Sequence, residues 1–248
     1  MIILKSSQEL ARMRQAGRIV AEVLARLREK VAPGVTTAEL NALAHQLIVH
    51  YGARPSFKGY RGFPASLCVS INEEVVHGIP GRRILQEGDI VSLDVGVIYR
   101  GYQGDAAITL GVGKVNGMAQ HLIEVAAEAL EAGIAQCRAG KRTGDISWAI
   151  QQCAERNGYA VVREYTGHGI GREMHEEPQI PNFGEPGRGV LLKPGMTFAL
   201  EPMVVAGDYH TRVLDDHWTV VTLDGQLSAH FEHTVAVTEG EPEILTRL

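Results

Sequence analysis

Met13, Ala16, Val20, Leu24, Leu27 and Val31 recur at three- and four-residue spacings, which predicts an amphipathic helix. Ser6 followed by Glu9 makes a capping box in front of it, and Pro33-Gly34 stops it. A second helix is predicted behind the capping pair Thr36 and Glu39, carrying Leu40, Leu43, Leu47 and Ile48 and ending at Gly52. The pattern then changes. Segments 67–71, 89–99 and 102–112 are rich in Val, Ile and Leu with Gly at the breaks, and read as strands. Leu122, Ile123, Ala126, Ala129, Leu130 and Ile134 predict a third helix from about Met118 to Cys137, and a fourth runs from near Thr143 to Gly158. The Gly- and Pro-rich stretch 166–195 reads as loop, followed by strands at about 196–205, 218–223 and 230–237.

Helix, helix, strands therefore occurs twice, which places the chain in the α+β class. Gly34, Thr37, Leu40 and Gly52 match Gly140, Thr143, Ile146 and Gly158 at a shift of 106. Leu85, Gly88, Leu93 and Asp94 match Leu192, Gly195, Leu200 and Glu201 at a shift of 107, and a shorter HGI echo links His77 to His168. These matches suggest a duplication within one domain, 1–248, with halves of about 1–112 and 113–248 facing each other across a pseudo-twofold axis. A site would form between them.

Composition narrows the class. Lys plus Arg total 24 against 29 for Asp plus Glu, a net charge of −5, which argues against stable nucleic-acid binding. Cys68, Cys137 and Cys153 form no CxxC and cannot all pair, which points to reduced thiols in the cytoplasm and away from a Cys-ligated zinc site. No apolar run is long enough to span a membrane, and the apolar part of MIILKSSQEL is too short for a signal peptide. HExxH, GxSxG and GxxxxGK[ST] are all missing, and GVGKVNG at 111–117 reads as a strand-to-helix turn.

The unusual feature is acidic residues inside apolar strands. Asp94 sits in IVSLDVGVIY, Asp105 in GYQGDAAITL, Glu201 in FALEPMVV and Glu232 in HFEHTVAV. Singly, each reads most simply as an inter-strand ion pair or a turn cap. Four together need a common partner, because a lone buried carboxylate costs several kcal/mol, and those strands hold few Lys or Arg to serve. A divalent metal would serve, and two facing acidic hairpins suit two adjacent ions. Asp94 and Asp105 lie on either side of a turn near Tyr99–Gly101, so one hairpin would carry both. Among ten histidines, His45, His50 and His121 fall in helices, and His210 and His217 in a polar loop. His168 differs, since the glycines of TGHGIG let backbone approach a ligand. His175 follows in HEEP, and His230 shares a strand face with Glu232 while His233 should point away.

SINEEVVHGIPG (70–81), LDVGVIYRGYQGDAAITL (93–110), YTGHGIGREMHEEPQIPNF (165–183), ALEPM (199–203) and SAHFEHTVAVT (228–238) stand in an order that closely resembles the bacterial type I methionine aminopeptidases of the pita-bread metallopeptidase family. The resemblance covers nearly the whole chain. Only 31 residues separate Glu201 from Glu232, too few for the helical insertion of type II members, and no zinc-finger extension precedes Met1.

The resemblance implies a pita-bread fold and five ligands, Asp94, Asp105, His168, Glu201 and Glu232, for two divalent ions such as Co, Mn or Fe. Asp105 and Glu232 would bridge the ions. It implies hydrolysis after an N-terminal methionine by a metal-activated water, with Glu201 as proton acceptor, His175 donating to the oxyanion and His77 bonding the scissile amide. Tyr60, Phe63, Cys68 and Trp218 would line the apolar side-chain pocket, with Phe57 and Met203 as additions. Met174 stands where bacterial members often carry an aromatic residue. Small second residues would be preferred. The implied partners are methionyl peptides and nascent chains, with transient ribosome contact by a monomer and no membrane. The alternatives are an Xaa-Pro peptidase of the same fold, which normally carries an extra N-terminal domain, and a non-catalytic binding protein that has lost metal ligands.

Overall fold

The structure is a computed structural model that describes residues 2–248. Helix α1 (Ser7–Lys30) begins at the expected capping box, in which the Ser6 side chain accepts from the Glu9 N–H and the Glu9 carboxylate from the Ser6 N–H. Thr36 and Glu39 do the same for α2 (Thr37–His50). Strands β1 (Arg54–Pro55), β2 (Cys68–Ile71) and β3 (Glu74–Val76) precede a long hairpin of β4 (Ile90–Tyr99) and β5 (Tyr102–Gly111). Arg100 and Gly101 close it at positive φ of 49° and 80°, the hand that two-residue hairpin turns require. Helices α3 (Gly117–Gln136) and α4 (Thr143–Arg156) follow, with the Asn116 side chain capping the first by accepting from the Ala119 N–H. Short strands complete the chain: β6 (Ala160–Val161), β7 (Thr166–Gly169), β8 (Glu176–Pro181), β9 (Thr197–Leu200), β10 (Met203–Val205), β11 (Thr211–Val213), β12 (Val220–Thr222), β13 (Ser228–His230), β14 (Glu232–Ala236) and β15 (Glu243–Ile244).

Two expectations need correction. The stretch 166–195 is not all loop, because β7 and β8 lie within it. Their glycines and prolines hide the strand pattern, and β8 with Pro178 and Pro181 is the sheet edge, where a missing N–H is tolerated. The strands expected at 196–205 and 230–237 each break in two. β9 and β14 pair in the main sheet, whereas β10 and β13 pair in a small one. The step falls at Pro202, which has no N–H to give, and at Phe231, whose N–H donates to the Pro202 carbonyl.

The main sheet runs β1-β4-β5-β14-β9-β7-β8, with β2 also on β4 and β15 on β14. Alternate residues go to opposite faces. Leu93, Val95 and Ile108 pack under α1 and α2 with Val20, Leu24 and Leu27. Phe198, Leu200 and Val235 pack under α3 and α4 with Leu122, Leu130 and Ile150. Each such buried apolar side chain contributes roughly 1.5–3 kcal/mol. All four helices thus cover one face, and the other residues of the same strands turn toward the opposite one.

Local bonding repeats along the chain. The Gly34 N–H donates to Leu85 O (2.8 Å) and the Leu85 N–H to Val35 O (2.8 Å). One shift later, Gly140 donates to Leu192 O (3.1 Å) and Leu192 to Lys141 O (2.8 Å). Under this correspondence β4 falls on β9, and the two hold mirrored places in the order β2-β4-β5-β14-β9-β7, whereas the other strands of that order do not keep the shift. The HGI echo does not follow it. His168 pairs with Ala199, whose counterpart Ser92 pairs with Ser70 rather than with His77.

Candidate active site

Strand register gathers the carboxylates. Ala107 of β5 lies directly between Asp94 of β4 and Glu232 of β14, and Asp105 sits two residues before it on the same face. Directly opposed side chains on neighbouring strands project together, so Asp94, Asp105 and Glu232 crowd around a small methyl group. Glu201 follows Leu200, which pairs with His233, and its carbonyl accepts from Asn182 Nδ2 (3.1 Å). His168 in β7 brings Nε2 to 3.4 Å from Glu201 Oε1. Asp105, His168 and Glu232 offer donor atoms within 4.8 Å of one another.

The chemistry of this cluster fits a cation. Asp94 Oδ1, Asp105 Oδ1 and Glu232 Oε1 are buried with no hydrogen-bond partner. Burial, and then the other carboxylates, push Asp94 and Glu232 well above the ordinary carboxylate range, and burial followed by Asp105 does the same to Glu201. Such a group is uncomfortable alone and suited to a divalent ion. The His168 Nδ1 lies 2.8 Å from the Gly169 carbonyl, which can only accept, so Nδ1 carries the proton. Burial lowers the His168 pKa to about 4, and the neutral ring keeps its Nε2 lone pair for a metal.

A cavity of about 140 Å³ opens onto these groups. It is close to the ~150 Å³ that accepts a benzene-sized ligand, so one medium side chain fits. Phe57, Tyr60, Phe63, Cys68, Met174 and Trp218 wall it. Met203 does not join them, because it packs with Val75, Val76 and Val205 behind the site. Cys68 pairs across from Asp94, and burial followed by the nearby carboxylates raises its thiol far above its usual range, so it is a packing residue and not a nucleophile. Arg61, absent from the sequence expectations, also lines the mouth.

Two more histidines face the cavity. His175 is exposed at the mouth, stacked on Tyr60, with its Nδ1 2.7 Å from the Tyr60 hydroxyl and its ring 4.3 Å from that of His168. His77 follows β3 with a positive φ of 61°, a strained turn that aims its ring between Tyr165 and Trp218. Burial lowers its pKa to about 4. Gly78 holds this turn: its N–H donates to Ser70 Oγ (3.1 Å), and a Cβ there would meet the Val69 carbonyl at 2.1 Å. Gly78→Ala should therefore destabilise the fold by about 1–3 kcal/mol and misplace His77, visible together as an earlier urea midpoint and a lower kcat. His233 turns away as expected. Its Nδ1 lies 2.8 Å from Thr246 Oγ1, and it lines a cavity on the helix-covered face.

A strained histidine, a second one at the mouth and a metal-competent cluster at the end of an apolar pocket define a metal-dependent hydrolase. The model of metallopeptidase family M24 matches residues 11–239, and the chain belongs to that family. It is 54% identical to a methionine aminopeptidase of Clostridium perfringens, over 99% of both chains. It superposes on the crystal structure of the Thermotoga maritima methionine aminopeptidase with a TM-score of 0.99, at 47% identity and full coverage of both. The pita-bread architecture is the fold of this chain. A Bacillus anthracis Xaa-Pro dipeptidase shares that fold at TM-score 0.79 and 23% identity, but this chain spans only 62% of it. Divalent metal use follows from the family. No helix among the described residues is long and apolar enough to cross a membrane.

Proposed function

We propose that this chain is a methionine aminopeptidase, which hydrolyses the bond after an N-terminal methionine in peptides and nascent chains and prefers a small second residue. One observation carries the reading: partnerless buried carboxylates and a free histidine nitrogen meet at the end of a cavity sized for one side chain. Asp94, Asp105, His168, Glu201 and Glu232 would hold two divalent ions. Four carboxylates and one imidazole suit Mn(II), Fe(II) or Co(II). When bound, such ions supply Lewis acidity that activates water and polarises a carbonyl.

The chain's own residues do the rest. The aromatic and sulfur wall takes the methionine side chain and excludes water. Glu201, whose Oε1 lies beside the His168 ring in the cluster, accepts a proton from the attacking water. With the Tyr60 hydroxyl donating to His175 Nδ1, the His175 Nε2–H is left to donate to the oxygen on which charge develops. His77, neutral at physiological pH, hydrogen-bonds the scissile amide. The C–N bond then breaks, and the proton passes to the leaving amine. Three free cysteines support a cytoplasmic location, and the family resemblance supports a monomer of one duplicated domain, 1–248, that meets the ribosome transiently.

Chelator-treated protein should release no methionine from Met-Ala-Ser, and Mn(II) or Co(II) should restore release. Ala-Pro peptides should stay intact, and Met-Ala-X should be cut at least about tenfold faster than Met-Leu-X. Metal at 100 times its Kd should also add about 2.7 kcal/mol of stability, roughly 5–11 °C in Tm. Metal-independent cleavage, or equal rates on all three peptides, would contradict the assignment.

A further inference from the structure

A second histidine lies against the carboxylate cluster, outside the five proposed ligands. His230 ends β13 at 2% exposure. Its main chain is locked on both sides: the N–H donates to Thr109 Oγ1 (2.8 Å), and the Thr109 hydroxyl donates to its carbonyl (2.7 Å). Thr109 is held in turn by Ser92, 2.8 Å away. The side chain is less satisfied, since Nε2 is buried with no hydrogen-bond partner. It points at Glu232, whose Oε2 lies 3.8 Å away and whose Oε1 is equally partnerless.

That separation is too long for a hydrogen bond. It suits two ligands of one ion, since donors ~2.1 Å from a shared metal lie about 3 to 4.2 Å apart. Glu201, His230 and Glu232 offer donor atoms within 4.8 Å of one another, a second three-donor group that meets the Asp105–His168–Glu232 group only at Glu232. The step between sheets at Pro202 and Phe231 makes this possible. It sets Met203 opposite His230 in one sheet and Leu200 opposite His233 in the other, so that both glutamates and His230 converge where the strands cross over.

We propose that His230 is a metal ligand, closing with Glu201 and Glu232 a one-imidazole, two-carboxylate position for a divalent cation beside the pair held by the other five residues. This rests on the metal-centre reading above and adds a second imidazole to it. A nitrogen-richer position favours borderline ions such as Co(II), Ni(II) or Zn(II) over Mg(II).

The test uses full-length protein carrying ¹⁵N-labelled histidine, titrated with ¹¹³Cd(II) after metal removal. Nitrogen NMR should show cadmium coupling at two imidazoles, with the second appearing at later equivalents. His230→Gln should lose that second coupling and weaken the later binding step by about tenfold or more, while the His168 coupling stays. Coupling at a single imidazole in the unaltered protein, with His230→Gln binding the same amount of cadmium, would overturn the proposal and leave the metallopeptidase reading standing. Absence of any cadmium–nitrogen coupling would overturn both. Assignment of the second coupled imidazole to His230, or to another of the ten histidines, in the unaltered protein decides the matter even if the variant does not fold.

Discussion

Asp94→Asn should raise the melting temperature of the metal-free protein while weakening its response to metal and lowering methionine release by about 10³-fold or more. The two effects have one origin. Asp94 is buried opposite Ala107, whose other neighbour is Glu232, and its Oδ1 has no partner. Burial, then Asp105 and Glu201, raise its pKa well above normal. A carboxyl whose folded pKa is raised carries no penalty below its unfolded value near 4, and a growing one as pH climbs toward the folded value. Asparagine keeps the shape and drops the charge. The gain should be on the order of 1–2 kcal/mol, about 2–8 °C, and larger at pH 8 than at pH 5. Calorimetry of both proteins with and without Mn(II), beside a turnover assay, measures all of this. A metal-free variant that melts no higher than the parent, or one that still binds metal normally, would contradict the account.

His77→Ala and His175→Ala should each reduce kcat by about 10²-fold or more with metal content unchanged. Neither side chain belongs to the carboxylate group, so metal analysis separates their loss from loss of the centre. His77 is held by a strained turn and its pKa falls to about 4 through burial, so it is neutral across pH 5.5–8 and should add no inflection to the rate profile there. The sign for stability is the opposite of that for Asp94. A histidine with a lowered folded pKa stabilises fully above its unfolded value near 6.5, and that contribution is lost as pH falls toward 4. His77→Ala should therefore flatten part of the acid side of the stability curve. His175 depends on Tyr60, so Tyr60→Phe should mimic part of the His175→Ala loss by freeing the ring to take the other tautomer. Full turnover in either histidine variant would remove its assigned role.

The sequence alone determined the helices, because caps and helical periodicity act within a few residues. Ser6 with Glu9, Thr36 with Glu39, and the Gly101 turn are all where local chemistry puts them. It also marked Asp94, Asp105, Glu201 and Glu232 as anomalies, since an acidic residue in an apolar strand needs a reason wherever the strand goes. Strand partners are another matter. Ala107 meets Glu232 across 125 residues of chain, and nothing local reveals that register. β7 and β8 were hidden among glycines and prolines because β7 is placed by β9, and β8 by β7, rather than by their own composition. The break at Pro202 and Phe231 likewise exists only once two sheets compete for the same strands. That competition is what aims Glu201, Glu232 and His230 at one point. Tertiary structure therefore decided which of the suspicious side chains share a space. A carboxylate's cost is local, but the partner that relieves it arrives from a distant part of the chain.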